Sequence, residues 1–265
     1  MRLSLIITTY NWPESLELVI RSIECQTITP EEIIIADDGS ASETKALVSR
    51  FQQDSELNII YSWQENKGFR AAKSRNKAIA KSNTDYIVLI DGDTILHPRF
   101  IEDHIGDAKS GYFVQGSRVL LTQNKTKRVL DQQKINFSFF SIGLLNRQNA
   151  LYSSFLSSLM SRDKNFLGGI KSCNMAFFKQ DCIDVNGFNN DFKGWGREDS
   201  EFVIRLMNNG IKRNNIRFCA IQYHLWHKEN DRTEIYRNNL MLKNAINNRT
   251  KWCENGLNSL NSNES

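Results

Sequence analysis

The sequence lacks the features of a disulfide-linked or membrane-spanning protein. Its five cysteines are odd in number and scattered, with no C-x-x-C pair, which argues against a disulfide framework or a cysteine zinc site. No apolar stretch reaches the ~18 residues that a membrane helix requires. The N-terminal apolar stretch ends at Thr8 and is too short for a signal peptide. We therefore expect reduced thiols and a cytoplasmic protein.

The charge balance of the chain is mild. It has 34 basic and 30 acidic residues, for a net charge of +4. This excess is compatible with a phosphate-bearing substrate or an anionic membrane surface, but it is common among proteins with neither, and we expect no nucleic-acid partner. The 265 residues, 40% of them hydrophobic, are enough for a sizeable core. Because no internal repeat or linker is visible, we expect one domain over residues 1–254.

The first half of the chain alternates two periodicities. Short apolar runs that predict strands alternate with segments whose apolar residues recur at helical spacing. This alternation predicts βαβ units, hence an α/β fold with a mainly parallel sheet flanked by helices. Functional groups are then expected where strands end. The predicted strands are 3–8, 32–36, 58–63 and 86–90, and the predicted helices are 14–26, 43–53 and 69–81.

The second half is less regular. Residues 126–166 show no single period and interleave basic residues with aromatics. They are either an ordinary helical insertion packed on the core or a segment that lies at a membrane surface, which has this composition. The Asn- and Ser-rich residues 255–265 predict a disordered tail. Elsewhere the patterns predict strands at 111–122, 173–178 and 216–223, and helices at 198–208 and 233–252.

Two acidic motifs carry most of the prediction of function. Asp91-Gly92-Asp93 directly follows the apolar run 86–90, so its carboxylates lie at the edge of the sheet. Oxygen ligands at that position favour a divalent cation or a nucleotide over a plain turn. The second motif, residues 194–199 (G-W-G-R-E-D), adds carboxylates, an indole and glycines that permit a close ligand approach. A metal site with a separate acid cluster indicates a metal-dependent transfer enzyme.

Four other segments admit two interpretations each. Residues 8–11 are either a helix cap or a ligand loop, and residues 37–40 (D-D-G-S) are either a turn or a ligand loop. Residues 66–75 are either a solvated basic face or a diphosphate site at a helix start. His224 and His227 follow a predicted strand, and two histidines near Trp226 favour a role as metal ligands over a structural role.

Taken in order, these motifs resemble family 2 glycosyltransferases of the GT-A fold. Residues 5–11 (L-I-I-T-T-Y-N), 35–40 (I-A-D-D-G-S) and the D-x-D of 91–93 match the donor half of that family. The C-terminal half is similar to galactosyltransferases in its N-G-F, W-G-x-E-D and histidine motifs. The resemblance covers roughly residues 1–240 and implies a donor half at 1–122, a variable insertion at 123–168 and an acceptor half at 169–254.

The resemblance also implies roles for single residues. Thr8 and Asp38 would meet the uracil end of a UDP-sugar, beside Tyr10. Arg70, together with Lys73 or Arg75, would lie near its ribose or diphosphate. Trp195 would be an apolar platform for a sugar, Glu198 would orient the acceptor, and Asp199 would be the general base. The implied ligands of Mn²⁺ (or Mg²⁺) are Asp93 and His227, with His224 as the competing histidine. Asp91 would face either the ribose or the metal.

The activity implied is the inverting, metal-dependent transfer of a hexose or N-acetylhexosamine from a UDP-sugar. The expected acceptor is a hydroxyl of a glycan or glycolipid, such as lipopolysaccharide, lipooligosaccharide or capsule, with a β-linkage in the product. An acceptor of this kind would bring the enzyme to the inner face of a membrane as a peripheral protein. Two alternatives stay open: a non-catalytic nucleotide-sugar binding module, and a haloacid-dehalogenase-like phosphatase, which also carries a D-x-D after a strand.

Overall fold

A computed structural model shows an α/β fold built on two sheets, and it describes residues 1–163, 166–228 and 231–263. The order of strands in the large sheet is β3-β2-β1-β4-β10-β6-β11-β9, and in the small sheet β5-β12-β7-β8. The strands are β1 (Leu3–Thr9), β2 (Glu32–Asp37), β3 (Ile59–Trp63), β4 (Tyr86–Asp91), β5 (Thr94–Leu96), β6 (Tyr112–Gln115), β7 (Val119–Leu121), β8 (Leu144–Leu145), β9 (Arg162–Asp163), β10 (Asn174–Phe178), β11 (Lys212–Asn215) and β12 (Gln222–His224).

Helices flank the two sheets. They are α1 (Pro13–Glu24), α2 (Ser42–Asp54), α3 (Ala71–Lys81), α4 (Phe100–Gly106), α5 (Gln123–Asp131), α6 (Ser154–Met160), α7 (Lys179–Asp184), α8 (Glu198–Asn208) and α9 (Ile235–Asn247), with 3₁₀ helices at Arg147–Ala150 and Leu257–Asn263. None of the helices within the described ranges is both long and apolar enough to cross a bilayer.

Strands β1 to β4 are parallel to one another, as the alternation of patterns predicts. β1 pairs with β2 and β4, and β2 pairs with β3. Successive residues of β1 face opposite sides of the sheet, so Leu5 and Ile7 pack with α1 and α2 whereas Ile6 packs with α3. Because both faces are covered, these strands are continuous apolar runs. All the carboxyl ends meet at one edge, which carries the predicted site.

Beyond β4 the sheet is mixed. β10 comes from the C-terminal half and runs antiparallel between β4 and β6, and β6 pairs in parallel with β11. The antiparallel direction brings the start of β10 beside the end of β4, where Asn174 is opposite Ile90. Residues that precede β10 therefore reach the same edge of the sheet as Asp91.

Two strand predictions fail where the backbone turns. The predicted strand 111–122 is two strands, β6 and β7, separated by residues 116–118. In place of the predicted strand 216–223, a largely buried segment of irregular backbone connects the two sheets and leads into β12. Phe218 and Ala220 have φ values of 61° and 44° there, which a strand cannot contain. Their apolar neighbours Ile216 and Ile221 are buried although they lie outside any strand.

The described residues of the C-terminal tail contact the rest of the protein, while the predicted disorder of the tail stays a prediction. Residues Leu257–Asn263 form a 3₁₀ helix, and Leu257 packs against the core face that α3 covers. Asn190 donates hydrogen bonds to Asn255 and to the carbonyl of Gly256. These contacts are non-local, so the composition of the segment does not reveal them. Residues 264–265, and residues 164–165 of the segment without a clear period, lie outside the described residues.

Candidate active site

The pairing of two short strands brings an aspartate and two histidines together. β5 follows the D-x-D motif and runs antiparallel to β12, with Thr94 opposite His224. The N–H of Leu225 then donates to the carbonyl of Asp93 at 2.9 Å. As a result, Nε2 of His224 and Nε2 of His227 lie 3.5 Å and 3.3 Å from Oδ2 of Asp93. We call Asp93, His224 and His227 the metal triad, since their ligand atoms all lie within 4.8 Å of one another.

The chemistry of the metal triad fits a divalent cation. Oδ1 of Asp93 is buried and has no hydrogen-bond partner among the described residues, although a buried carboxylate oxygen normally has one. Burial raises the pKa of Asp93 to about 6 and lowers that of His224 to about 4, so the His224 imidazole is neutral at pH 7. Nδ1 of His227 lies 2.7 Å from the carbonyl of Lys228. A proton on Nδ1 leaves the Nε2 lone pair for an ion. A carboxylate with imidazoles is a donor set that Mn²⁺ accepts.

A buried arginine joins the two acidic motifs. Arg75 on α3 is 4% exposed, and its Nη1 lies 3.0 Å from Oε1 of Glu198. Its Nη2 lies 3.6 Å from Oδ1 of Asp91, and its Nε donates to the hydroxyl of Thr8 at 3.2 Å. Asp91 is therefore held by Arg75 and lies outside the metal triad. Removing Arg75 would leave buried carboxylates without a counter-charge, which is costly.

Gly92 permits the close approach of β1 to the D-x-D turn. A Cβ at Gly92 would lie 2.9 Å from Oγ1 of Thr9, which is closer than a side chain tolerates. The N–H of Gly92 donates to the carbonyl of Thr8 at 2.8 Å, and Oγ of Ser15 donates to the carbonyl of Gly92 at 2.7 Å. The turn is thus fixed from two sides, and Asp91 and Asp93 point along the sheet edge from a rigid backbone.

The loop that carries Glu198 and Asp199 is fixed by α9. The side-chain amide of Asn238, itself fully buried, donates to the carbonyls of Lys193 and Gly196 at 3.0 Å each. Arg197 adopts a left-handed conformation, with φ of 79°, directly before α8 begins. The turn places Glu198 and Asp199 in the first turn of α8. Trp195 is 39% exposed, and the guanidinium of Arg232 covers one face of its ring at 5.0 Å.

The surroundings of Asp199 raise the pKa of its carboxyl group. Burial raises its pKa to about 7, the charge of Glu198 adds to the rise, and Arg75 opposes it. The N–H and hydroxyl of Ser200 both donate to Oδ1 of Asp199, at 2.6 Å and 3.2 Å. Its other oxygen is left to accept a proton. A base is most effective when its pKa is near the working pH.

The predicted nucleotide residues lie on the other side of β4. Asp38 is buried and accepts from Gln64 Nε2 and from the N–H of Arg70, both at 2.6 Å. The side chain of Arg70 turns back to the carbonyl of Glu65. The hydroxyl of Tyr10, which is half exposed, accepts from Asn66. The structure therefore places these residues together at one end of the sheet edge. The hydrogen bonds of Asp38 connect the loop after β2 to the start of α3.

Two cations at this edge were missed in the sequence. Arg118 follows β6 and Lys171 precedes β10. The positive charge of each opposes the rise in the pKa of the Cys173 thiol. Nη1 of Arg118 lies 3.8 Å from Sγ of Cys173. Because residues 111–122 were predicted to be one strand, Arg118 was assigned to its interior. The signal that could have shown a break is the pair Gly116-Ser117 before it.

The sequence matches known protein families over most of its length. The profile of glycosyl transferase family 2 matches residues 4–183, and that of the N-terminal domain of galactosyltransferase matches residues 158–228. Hyaluronan synthase of Pasteurella multocida is 27% identical over 225 residues, which cover 78% of this chain and 23% of that protein. Chondroitin synthase of Escherichia coli is 26% identical over 84% of this chain and 34% of its own length. The chain thus spans about a quarter to a third of these relatives.

Solved structures support the fold. The 1–349 fragment of S. aureus TarS superimposes with a TM-score of 0.65 at 16% identity, over 94% of this chain and 66% of that one. A mannosyltransferase of Pyrobaculum calidifontis, solved with GDP-Man and Mn²⁺, gives 0.59 at 16% identity, over 86% and 58%. The prediction of an α/β fold is confirmed. The match over residues 4–183 is to a glycosyltransferase family and therefore argues against the phosphatase alternative. The chain belongs to glycosyltransferase family 2.

Proposed function

We propose that this protein is an inverting, metal-dependent glycosyltransferase that moves a hexose or N-acetylhexosamine from a UDP-sugar to an acceptor hydroxyl. One observation carries the proposal: the metal triad and Asp199 meet at the same sheet edge, and Arg75 connects their two loops through Asp91 and Glu198. The proposed site for the leaving group and the proposed site for the acceptor proton are thus connected through the contacts of Arg75.

The residues of the chain divide the reaction between them. Asp199 takes the proton from the acceptor hydroxyl, which makes the oxygen a better nucleophile. Arg75 holds Glu198 and Asp91 in place and keeps their charges from repelling each other. Mn²⁺ bound by the metal triad would neutralise the negative charge that develops on the departing diphosphate. A single displacement inverts the configuration, so an α-linked UDP-sugar gives a β-glycoside.

The choice of donor draws on the relatives. TarS has been solved in complex with UDP and with UDP-GlcNAc, and the archaeal mannosyltransferase with GDP-Man. The curated relatives include synthases of hyaluronan, chondroitin and poly-β-1,6-N-acetyl-D-glucosamine. An O-antigen chain rhamnosyltransferase is 38% identical over 36% of this chain. We infer a cell-surface glycan or glycolipid acceptor and a UDP-linked donor for this protein.

Turnover of nucleotide sugars tests the proposal directly. We expect Mn²⁺-dependent release of UDP from at least one of UDP-glucose, UDP-galactose, UDP-GlcNAc and UDP-GalNAc, because water can take the place of the acceptor hydroxyl as the nucleophile. A coupled assay for UDP measures it, with GDP-mannose and a chelator as controls. Tight binding of a UDP-sugar without release of UDP under any condition would instead indicate a binding module.

A membrane contact by the insertion is the second part of the proposal. We define the α5 patch as the exposed Phe140 and Ile142, which are 83% and 84% exposed, together with the exposed basic residues Lys127, Arg128 and Lys134. The N–H of Thr122 donates to the carbonyl of Gly143, which holds the apolar loop beside α5. Exposed apolar side chains next to cations fit an anionic bilayer surface. Arg147, by contrast, donates to the carbonyl of Phe139 and supports the loop from within.

Vesicle sedimentation tests the α5 patch. We expect the wild-type protein to sediment with phosphatidylglycerol vesicles and to be released by salt, which screens the charges. The double change Lys127→Glu and Lys134→Glu should abolish most of this binding, and so should Phe140→Ser with Ile142→Ser. Lys243→Glu, at an exposed lysine on α9, is the control that should bind as the wild type does. Equal sedimentation of all variants would contradict the membrane contact.

A further inference from the structure

Arg118 and Lys171 are held at fixed positions without a carboxylate partner. None of the described acidic residues lies within ion-pair distance of either cation, and the buried Nε of Arg118 has no hydrogen-bond partner. The thiol of Cys173 beside them does not supply a charge, because burial raises its pKa to about 12. Lys171 is exposed, whereas Arg118 is half-buried and acts electrostatically on Asp91 and Asp93 without forming an ion pair with either.

The loops that carry the two cations are braced from several directions. The carbonyl of Arg118 accepts from the side chains of Asn146 and Asn149, at 2.8 Å and 2.9 Å. The side chain of Gln115 both accepts from the N–H of Lys171, at 3.1 Å, and donates to its carbonyl, at 3.0 Å. The backbone positions of the cations are therefore set by the fold and do not depend on a ligand.

The strand order places the cations beyond the nucleotide and metal residues. Along the edge, Asp38 follows β2, Thr8 is the next-to-last residue of β1, Asp91 ends β4, Lys171 precedes β10 and Arg118 follows β6. Neighbouring strands lie ~4.8 Å apart, so β6 is roughly 10 Å beyond β4. In the proposed binding mode the nucleotide lies at the ends of β1 and β2 and the diphosphate lies at the end of β4. The next positions along the edge, beside β10 and β6, then face the sugars.

Electrostatics agree with this placement. Desolvation and the charge of Arg118 lower the pKa of Lys171, and the charge of Asp199 opposes that shift. Lys171 is thus within electrostatic reach of the proposed base. A negatively charged sugar at this point would be repelled by Asp199, Glu198 and Asp91 unless nearby cations offset them.

We propose that Arg118 and Lys171 form a subsite for the carboxylate or phosphate of a sugar bound beside Asp199, so that the enzyme acts on an anionic sugar. This inference rests on the proposed function and adds a substrate class to it. A guanidinium forms paired hydrogen bonds with such groups, and the lysine adds a second charge. The anionic group belongs to the transferred sugar or to the acceptor, and the two sources are separable by experiment.

Matched ligands that differ only in one carboxylate test the subsite. The donor arm compares UDP-glucuronate with UDP-glucose, and the acceptor arm compares methyl β-D-glucuronide with methyl β-D-glucoside in the presence of UDP. Calorimetry with Mn²⁺ measures both arms. We expect the uronate to bind about ten-fold more tightly in one arm, since charge-assisted hydrogen bonds are the strong ones. The arm that shows the preference identifies the source of the anion.

Variants assign the preference to the two cations. Arg118→Gln and Lys171→Gln should remove the uronate preference while the affinity for UDP stays within two-fold of the wild type. Lys212→Gln, at an exposed lysine at the start of β11, should keep the preference. Equal binding of uronate and neutral sugar in both arms would overturn the inference, and so would an equal loss of UDP affinity in the variants. A wild-type protein that binds no UDP with Mn²⁺ would overturn the proposed function as well.

Discussion

Replacing Asp199 with asparagine is expected to lower turnover by ~10²–10⁴-fold while UDP-sugar binding is retained. The amide has the size of the carboxylate but cannot accept the acceptor proton. It can still accept the hydrogen bonds that Ser200 donates to Oδ1, so the start of α8 should keep its conformation. Steady-state kinetics and calorimetry of the same preparation separate the two effects. Asp54→Asn, at an exposed position at the end of α2, is the matched control.

The pH profile adds a signature that a structural defect would not produce. Because burial raises the pKa of Asp199 to about 7, the wild-type kcat/KM should rise with pH through that value as the base loses its proton. The asparagine variant should lose this rise. Turnover of Asp199→Asn within a few-fold of the wild type would move the base to Glu198 or elsewhere, and Glu198→Gln would then be the variant to measure.

Removal of the Asp93 carboxylate is the second large effect. Asp93→Ala should abolish transfer, and its affinity for UDP should no longer respond to Mn²⁺. The reason is that Asp93 is the carboxylate shared by both histidines of the metal triad. Calorimetric titration of UDP with and without Mn²⁺ measures the change. An unchanged Mn²⁺ dependence would show that the metal assignment is wrong.

The two histidines provide a graded comparison in the same experiment. His227→Ala should weaken Mn²⁺ binding more than His224→Ala. Nε2 of His227 is nearer to Asp93, at 3.3 Å against 3.5 Å, and the carbonyl of Lys228 orients its ring. The reverse order would make His224 the main imidazole ligand.

The donor half was predictable because its signals are local. Each strand of β1 to β4 is a short apolar run, and each helix between them shows its own period, so the α/β class and the strand ends follow from short windows. The D-x-D and G-W-G-R-E-D motifs were visible for the same reason, since each is contiguous in the sequence. The convergence of Asp93, His224 and His227 agrees with the predicted metal set, and their role as ligands stays a prediction.

The remaining features depend on contacts between distant residues. The burial of Ile216 and Ile221 resembles a strand pattern, although the left-handed Phe218 between them prevents one. The contacts of the tail involve Asn190 and the core cluster against which Leu257 packs, and no window around residue 257 contains these residues. Arg75 was expected near ribose or diphosphate, but its contacts with Asp91 and Glu198 depend on how α3 and α8 pack.

The position of β10 limits how this protein can be divided or recombined. Its immediate neighbours, β4 and β6, both precede it by many residues, so the donor half alone would have a gap in the middle of its sheet. The two halves are consecutive in sequence but are interleaved in space. A chimaera that exchanges acceptor halves between relatives must therefore carry β10 across with the residues that flank it. Changes of acceptor specificity should be easier to obtain in residues 123–163, whose strands β8 and β9 lie at the ends of the two sheets.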